Sequence, residues 1–544
     1  MRKTWCWITA ALLFRLVTHS SGQGKTDFYT TVSTLSDLIQ MEKEVKASLL
    51  YYTKRLKIVQ DSVLNFVQDS QPYDDLATPS DVFDYLKHPV HAFQLIKRMT
   101  AGLGDIETQI RRMQSFDSLV DIREMRKQRL LPWDEDFRGL AASLVRLQNT
   151  YDLDISELAK GHLRTEVPRS RTISGRLPLS ARDCLNISQV ALDQGFYDRA
   201  VEWVEQAVRT AAGERNVTAS KQELDTFHET VVKEHDENLD TTQETTAWEG
   251  FFWQTYGVPV RDRMKRSKEY KAELFQEEPQ EYQDSQNYKR LCRGEQLRTL
   301  KMDSQLRCRY YKGQDGFFKL QPIKLEEFNL KPYIVVLHDV IQDRDLEELI
   351  AFAKPRLMIS KTYSDDMELS PIRTSSNTWL FEQNATIASR LNRYLRALLG
   401  MGTSDSNFEA EPYQLANYGT GGHYLPHHDY LYDVYEDSDE TDEFSRVPSY
   451  GDRLATLMIY MSDVEEGGAT VFPKLGVRLT PKKGDAAFWW NLKTSGAVEK
   501  LTLHAGCPVF YGNKWIANKW FRSYGNVFRL PCSTDRYASM APLV

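Results

Sequence analysis

The stretch GGHYLPHHDYLYD, residues 421–433, sets three histidines and two aspartates behind a glycine pair. Whether it is helix or strand decides which of them could meet one ion. As a helix, His423 and His427 would share a face at i and i+4, the spacing of the zinc-hydrolase motif H-E-x-x-H. That reading lacks the glutamate, because Tyr424 follows His423. It also puts Pro426 inside the helix, at a cost of about 3 kcal/mol or more. In a strand, alternate residues share a face. His427 and Asp429 then point one way and His428 the other, while His423 lies roughly 13 Å off at about 3.3 Å per residue. The strand reading selects an H-x-D pair, His427 and Asp429, and needs a third ligand from elsewhere.

Beyond His428 the chain has a single histidine, His504 in LTLHAGCPVFYGNKW, 75 residues past Asp429 (504 − 429). Two imidazoles and one carboxylate on one side of an ion form the facial triad of non-haem Fe(II) oxygenases, with three positions open. The same donors can hold Zn²⁺, so the metal stays open on ligands alone. A 2-oxo acid chelating iron would leave a far carboxylate in need of a cation. Lys514, on the strand expected after the turn at Gly512-Asn513, sits among Phe510, Tyr511, Trp515 and Ile516. Burial there without an anion is costly. Lys519 and Arg522 are weaker candidates for that role.

Around this pair the texture is that of an all-β domain. KPYIVVLHDVI, YQLANYG, RLATLMIYMS, GGATVFP, GDAAFWW, GCPVFYG and KWIANKW are short β-prone runs between glycine-rich turns, the pattern of a sandwich or barrel. RDLEELIAFA and ATIASRLNRYLRALLG are amphipathic helices flanking it. This domain is expected over 331–535, with a tail at 536–544.

Upstream the periodicity is helical. Positions 35, 38, 42, 45, 49, 52, 56, 59, 63 and 66 follow a 3-4 spacing and only Glu42 is polar. That predicts a long helix whose seam serves either dimerisation or packing within its own domain, 23–132. Residues 133–246 contain SARDCLNISQVALDQGFYDRAVEWVEQAVRTA, two helices with the small-residue and aromatic pattern of one tetratricopeptide unit. SKQELDTFHETVVKEHDENLDTTQETT is too polar for a clear second copy, and its His235 and Glu237 are expected on a solvated face. Residues 247–330 have the charged, irregular composition of a linker region.

The formal charge of −7 argues against nucleic-acid binding. Residues 1–22 have the basic start, short apolar stretch and small residues of a cleaved secretory signal, and no later segment is long enough to span a membrane. Five cysteines remain after it. Proximity in sequence pairs Cys292 with Cys308 and Cys507 with Cys532, leaving Cys184 free. N-x-S/T sites stand at Asn186, Asn216 and Asn384. The chain closes on MAPLV, without a K-D-E-L signal.

H-x-D at 427–429, GGATVFP at 467–473, FWWNL at 488–492 and HAGCPVFYGNKWIANKW at 504–520 resemble the α subunits of the collagen prolyl 4-hydroxylase family. The likeness runs from about Lys331 to Cys532. LVRLQNTYDLD and DCLNISQVALDQGFYDRAVEW carry it into the helical half. It implies a double-stranded β-helix (jelly roll) holding Fe(II) through His427, Asp429 and His504, with Lys514 on 2-oxoglutarate. It also implies O₂ as oxidant, L-ascorbate to rescue oxidised iron, and hydroxylation of proline before glycine in procollagen-like X-Pro-Gly chains. The family works in the lumen of the endoplasmic reticulum as an α₂β₂ tetramer with protein disulfide isomerase as β subunit. A polyproline chain suits an aromatic groove, to which Tyr197 and Trp203 are candidate contributors, with packing between helices as their competing role. The chain departs from the family at residues 220–246, with their faint second repeat, and at the acidic insertion YEDSDETDE, 435–443. Two competing readings are a zinc hydrolase and a non-catalytic procollagen-binding scaffold.

Overall fold

The alternating runs of the C-terminal half become two facing antiparallel sheets. The computed structural model describes residues 32–53, 60–112, 120–127, 131–164, 172–238, 260, 280–313, 315–360, 373–431, 450–530 and 532–543. The acidic insertion at 435–443 and the signal at 1–22 lie outside these residues.

The strands of these two sheets are β1 (Cys308–Tyr311), β2 (Ile323–Leu330), β3 (Tyr333–His338), β4 (Met358–Ile359), β5 (Ser376–Leu380) and β6 (Tyr413–Tyr418). They continue with β7 (Tyr424–His427), β8 (Arg453–Tyr460), β9 (Thr470–Phe472), β10 (Val477–Leu479), β11 (Ala486–Trp490), β12 (His504–Gly506) and β13 (Lys514–Arg522). Nine of them form one sheet in the order β1-β2-β3-β11-β8-β13-β6-β5-β4, and four form the opposing sheet β10-β9-β12-β7. Two sheets facing each other in this way make the expected jelly roll.

The period of two fixes which side chains look inward. On β13, Lys514, Ile516, Asn518, Trp520 and Arg522 line the space between the sheets. Trp515, Ala517 and Phe521 instead join the core under the helices Asp343–Ala353 and Thr386–Leu399. Both helices were legible from their amphipathic spacing. Two strands lie ahead of the start expected at 331: β1 and β2 extend the large sheet from residues read as linker. The charged run β2 alternates buried Ile323 and Leu325 with polar neighbours, as a strand with one face on the core does.

In the helical half, α1 (Val32–Thr53) packs beside α2 (Gln60–Gln68) and onto α3 (Pro79–Leu86), and it also meets α4 (Pro89–Lys97). The seam residues Leu35, Leu38, Val45, Leu49, Val63 and Phe66 are buried within the chain itself. Glu42, the polar break, is buried too and bonds the Arg98 guanidinium, which lies 4.0 Å over the Phe66 ring. These seam residues pack inside their own domain. The side chains of Tyr52, Leu56 and Val59 lie outside the described residues.

Downstream, α5 (Asp134–Tyr151) packs on α6 (Ala181–Asp193), which pairs with α7 (Tyr197–Ala211), and α8 (Lys221–Glu237) follows on α7. Ser180 and Asp183 form a reciprocal capping box that starts α6. Two expectations are corrected here. His235 is fully buried, 2.8 Å from Asp198, so polarity misled: the ion pair supplies the partner that a buried imidazole needs. Trp203 is also fully buried and donates Nε1–H to Gln148 Oε1 at 2.8 Å, holding α7 to α5 rather than lining a peptide groove. Tyr197 is half-buried at the start of α7.

The cysteines differ as well. The disulfide is Cys292–Cys507, with Cα atoms 5.5 Å apart, in place of Cys292–Cys308 and Cys507–Cys532. Helix α9 (Gln280–Cys292) lays itself on β9 and β10, which brings its last residue beside Cys507, just after β12. Nearness in space has overruled nearness in sequence. Cys308 and Cys532 are exposed and free, and Cys184 is buried and free. Of the three sequons, Asn216 and Asn384 are exposed and Asn186 is half-buried on α6.

Candidate active site

His427 closes β7 and pairs in register with His504, the first residue of β12. Residues directly opposite on antiparallel strands share a face, so two histidines far apart in sequence stand together. Asp429 lies two residues past the end of β7. The ligand atoms of His427, Asp429 and His504 lie within 4.8 Å of one another, the one such metal-capable group among the described residues. His504 Nε2 is 3.6 Å from one Asp429 oxygen and His427 Nε2 is 4.0 Å from the other.

Each imidazole is oriented by its own backbone. His427 Nδ1–H donates to Leu425 O at 2.7 Å and His504 Nδ1–H to Thr502 O at 3.0 Å. Both rings thus turn a lone pair on Nε2 toward the centre, the tautomer a metal needs. Burial and the neighbouring His504 hold His427 well below the usual histidine range. Burial would raise the Asp429 carboxyl, but the two histidines, Arg453 and Thr456 lower it to about 2. Two imidazole donors and a carboxylate meet there, a set that fits a divalent cation.

His428 edges the same cavity but stays out of the metal group: its Nε2 lies 3.1 Å from Lys500 O and its ring stacks on Tyr430. His423 is buried with Nδ1 on the Thr374 hydroxyl. The glycine pair ahead of them has a packing reason. Gly421, at φ +66°, lies where a Cβ would come within 2.6 Å of Ser143 Cβ on α5, so the helical half presses on the turn that feeds β7.

Lys514 opens β13 and is buried in the same cavity of about 440 Å³. Its ammonium has a long bond to Thr470 Oγ1, 3.4 Å, and the rings of Tyr418 and Tyr460 near 6 Å, with no carboxylate partner among the described residues. Burial pushes it down to about 7. A buried cation in this state calls for an anion, and a dicarboxylate spanning from the metal would supply one. The alternatives fail on direction and occupancy. Lys519 points to the opposite face, 4.3 Å over Tyr413, and Arg522 is paired with Glu411 at 2.6 Å.

Sequence reasoning missed the residues that surround this core. Thr456 donates its hydroxyl to Asp429 Oδ2 at 2.6 Å, and Asn491 Nδ2 donates to Thr456 Oγ1 at 2.9 Å. Arg453 forks onto Glu411 and stacks 3.9 Å over Trp520. Arg373 lies 4.9 Å over Tyr424, whose ring in turn stacks on His427. None belongs to a local motif; the resemblance of FWWNL, which contains Asn491, was the nearest signal. Glu411 is the cavity's other carboxylate, and two arginines hold it, so the general base that a zinc hydrolase requires is not free to act.

The site and the jelly roll define the class: residues 413–522 match the 2OG-Fe(II) oxygenase superfamily. Residues 31–165 match the N-terminal region of the prolyl 4-hydroxylase alpha-subunit. The chain is 33% identical to human prolyl 4-hydroxylase subunit alpha-1 over 93% of its own length and 95% of that protein's. It is 31% identical to the chicken alpha-2 subunit over 93% and 95% of the two chains. A solved viral collagen prolyl hydroxylase, from Paramecium Bursaria Chlorella virus-1, aligns at 30% identity with 34% of this chain and 94% of its own, at a TM-score of 0.27. The chain belongs to the family of prolyl 4-hydroxylase alpha subunits.

Proposed function

We propose that the chain hydroxylates proline to 4-hydroxyproline in X-Pro-Gly sequences of procollagen-like chains, with 2-oxoglutarate, Fe(II) and O₂. The observation that carries this is the pairing of the His427–Asp429–His504 group with an anion-seeking Lys514 in one cavity. Iron with 2-oxoglutarate supplies the oxidative decarboxylation, to succinate and CO₂, that puts oxygen into an unactivated C–H bond.

The protein's own residues do the rest. His427, Asp429 and His504 hold the metal on one side and leave its other positions to ligands. Lys514 takes the far carboxylate of 2-oxoglutarate. Trp520, Trp489 and Tyr424 line the cavity as flat apolar walls for a pyrrolidine ring and keep bulk water from the reacting carbon.

The assembly reading follows the family. L-ascorbate returns oxidised iron to Fe(II), protein disulfide isomerase is the β subunit of an α₂β₂ tetramer, and residues 1–22 direct the chain to the endoplasmic reticulum lumen. The domain plan is 23–132 for assembly, 133–246 for peptide binding and 331–535, with β1 and β2 joined to it, for catalysis. No helix among the described residues is long and apolar enough to cross a membrane. Peptide-stimulated release of succinate by the iron-loaded protein, lost on substituting zinc, tests the reaction. Mass measurement with and without co-expressed isomerase tests the assembly: a soluble active monomer contradicts it.

A further inference from the structure

Lys87 lies between α3 and α4, where the helical half meets the catalytic domain. Its ammonium bonds the Glu465 carboxylate and stands 2.8 Å from Asp84, one turn back on α3. Its carbonyl accepts the N–H of Gly512 at 3.3 Å. Gly512 has φ +106°, and a Cβ there would run into the Glu465 carboxylate. The turn that leads into Lys514 is therefore closed against both members of the ion pair.

We infer that Lys87 and Glu465 are positioning residues for Lys514, through which the helical half sets the place of the ammonium that receives 2-oxoglutarate. The inference rests on the proposed reaction and adds what holds its anion site in shape.

Glu465 belongs to the segment 462–470, which touches Lys514 from backbone to head. Ser462 Oγ accepts the N–H of Trp515 at 2.9 Å and donates to Asn513 O at 3.0 Å, fixing the backbone on both sides of the lysine. A Cβ on Gly468 would stand 3.6 Å from Lys514 Cδ, so that glycine lies along the stem. Thr470 supplies the hydroxyl 3.4 Å from the ammonium. The helical half grips this segment a second time. The Tyr151 hydroxyl, at the end of α5, donates to Pro508 O at 2.6 Å, and the same carbonyl accepts Gly468 N–H at 3.0 Å. Between the two grips, Glu466 and Gly467 pair with Tyr511 and Val509 as a short antiparallel ladder.

Lys514 depends on such support because its head is weakly held. One long bond and two distant rings do not fix an ammonium, so its position follows from the backbone and stem. A binding group of this kind works only while its supporting contacts keep it within about 0.5 Å of the productive geometry. The Lys87–Glu465 pair is partly exposed, so losing it should change binding by a few-fold rather than abolish it.

The test measures 2-oxoglutarate binding by calorimetry on the assembled, iron-loaded full chain, with Fe(II) affinity and melting temperature alongside. Lys87→Met and Glu465→Gln should each weaken 2-oxoglutarate binding about threefold to fivefold. The double variant should lose no more than either, and Lys87→Arg should bind as the native protein does. Fe(II) affinity should stay native, since no metal ligand lies in the segment 462–470. Lys46→Met is the control. It removes an ion pair of closely matching exposure, with Asp74, inside the helical half. It should leave 2-oxoglutarate binding unchanged even where it lowers the melting temperature. Hydrogen exchange gives a readout that needs no ligand: the Trp515 amide should exchange faster in Lys87→Met and Glu465→Gln but not in Lys46→Met. If Lys87→Met does not fold, Glu465→Gln, which leaves Lys87 its Asp84 partner, decides alone. Native binding in the double variant, additive losses, or an equal loss in Lys46→Met overturns the inference. If the native protein binds no 2-oxoglutarate, the proposed reaction fails instead. Exchange at Trp515 then decides the coupling: faster in Lys87→Met keeps it, and unchanged removes it.

Discussion

His427 and His504 stand directly opposite each other on neighbouring antiparallel strands, ring centroids 4.4 Å apart, with Nδ1 of each turned to a backbone carbonyl. That pairing assembles the metal site. His504→Ala should lower Fe(II) affinity by more than about 100-fold, beyond the 10–100-fold of a lost supporting contact. His428→Ala, whose ring faces Lys500 O, should keep most of the binding. Iron titration of both folded variants decides it; equal losses would contradict the strand geometry.

The hydroxyl of Thr456 supports the carboxylate ligand from behind. Thr456→Val keeps the volume of the side chain and removes the donor to Asp429 Oδ2. Fe(II) affinity should fall by about 10–100-fold while the metal-free protein melts close to the native temperature. Thr456→Ser should recover most of the loss, a result that a purely packing role does not predict.

Lys514 gives the site its pH dependence. Its pKa is lowered by burial to about 7 in the ligand-free fold. The stability that comes from keeping the amine neutral is full above about 10.5 and lost as pH falls through about 7. Binding the far carboxylate of 2-oxoglutarate needs the charged form. Affinity should therefore be flat below about pH 7 and weaken by up to about tenfold per pH unit above it. Calorimetry in buffers of different ionisation enthalpy should show proton uptake at pH 8. Lys514→Ala should abolish the uptake and raise the 2-oxoglutarate requirement by roughly 10–100-fold, as for the loss of a bond worth about 1.5–3 kcal/mol.

Gly421 joins the two halves of the protein. Gly421→Ala adds a methyl against Ser143 and strains a left-handed backbone, an overpacking that costs about 1–3 kcal/mol with roughly 1 kcal/mol more from the backbone. Thermal melting should reveal the loss, and Ser143→Gly in the same chain should return part of it. A melting temperature unmoved by Gly421→Ala would show that the helical half does not press on this turn.

The sequence revealed what is local or periodic. Pro426 and Tyr424 ruled out the helix at 423–427, the period of two put His427 and Asp429 together, and His504 followed as the remaining downstream histidine. The aromatic neighbours of Lys514 announced its burial. What depends on distant contact was hidden. Thr456 reaches Asp429, and Asn491 reaches Thr456, from segments with no shared motif, and Cys507 meets Cys292 only because α9 folds over β9 and β10. His235 looked solvent-facing by composition and Glu42 a break in the seam, yet each is buried with a charged partner that lies 37 or 56 residues away along the chain. The seam from Leu35 to Phe66 showed its apolar stripe clearly; whether that stripe faced this chain or another was a matter of tertiary packing.

The most direct measurement is the mass of the product. The assembled protein would be incubated with Fe(II), 2-oxoglutarate, ascorbate and a (Pro-Pro-Gly)ₙ peptide in air, and the peptide sequenced by mass spectrometry. The account predicts one added oxygen on C4 of prolines preceding glycine, with succinate formed in equal amount and both lost in His504→Ala. An intact, unoxidised peptide, or one cleaved by the zinc-loaded protein, would contradict it.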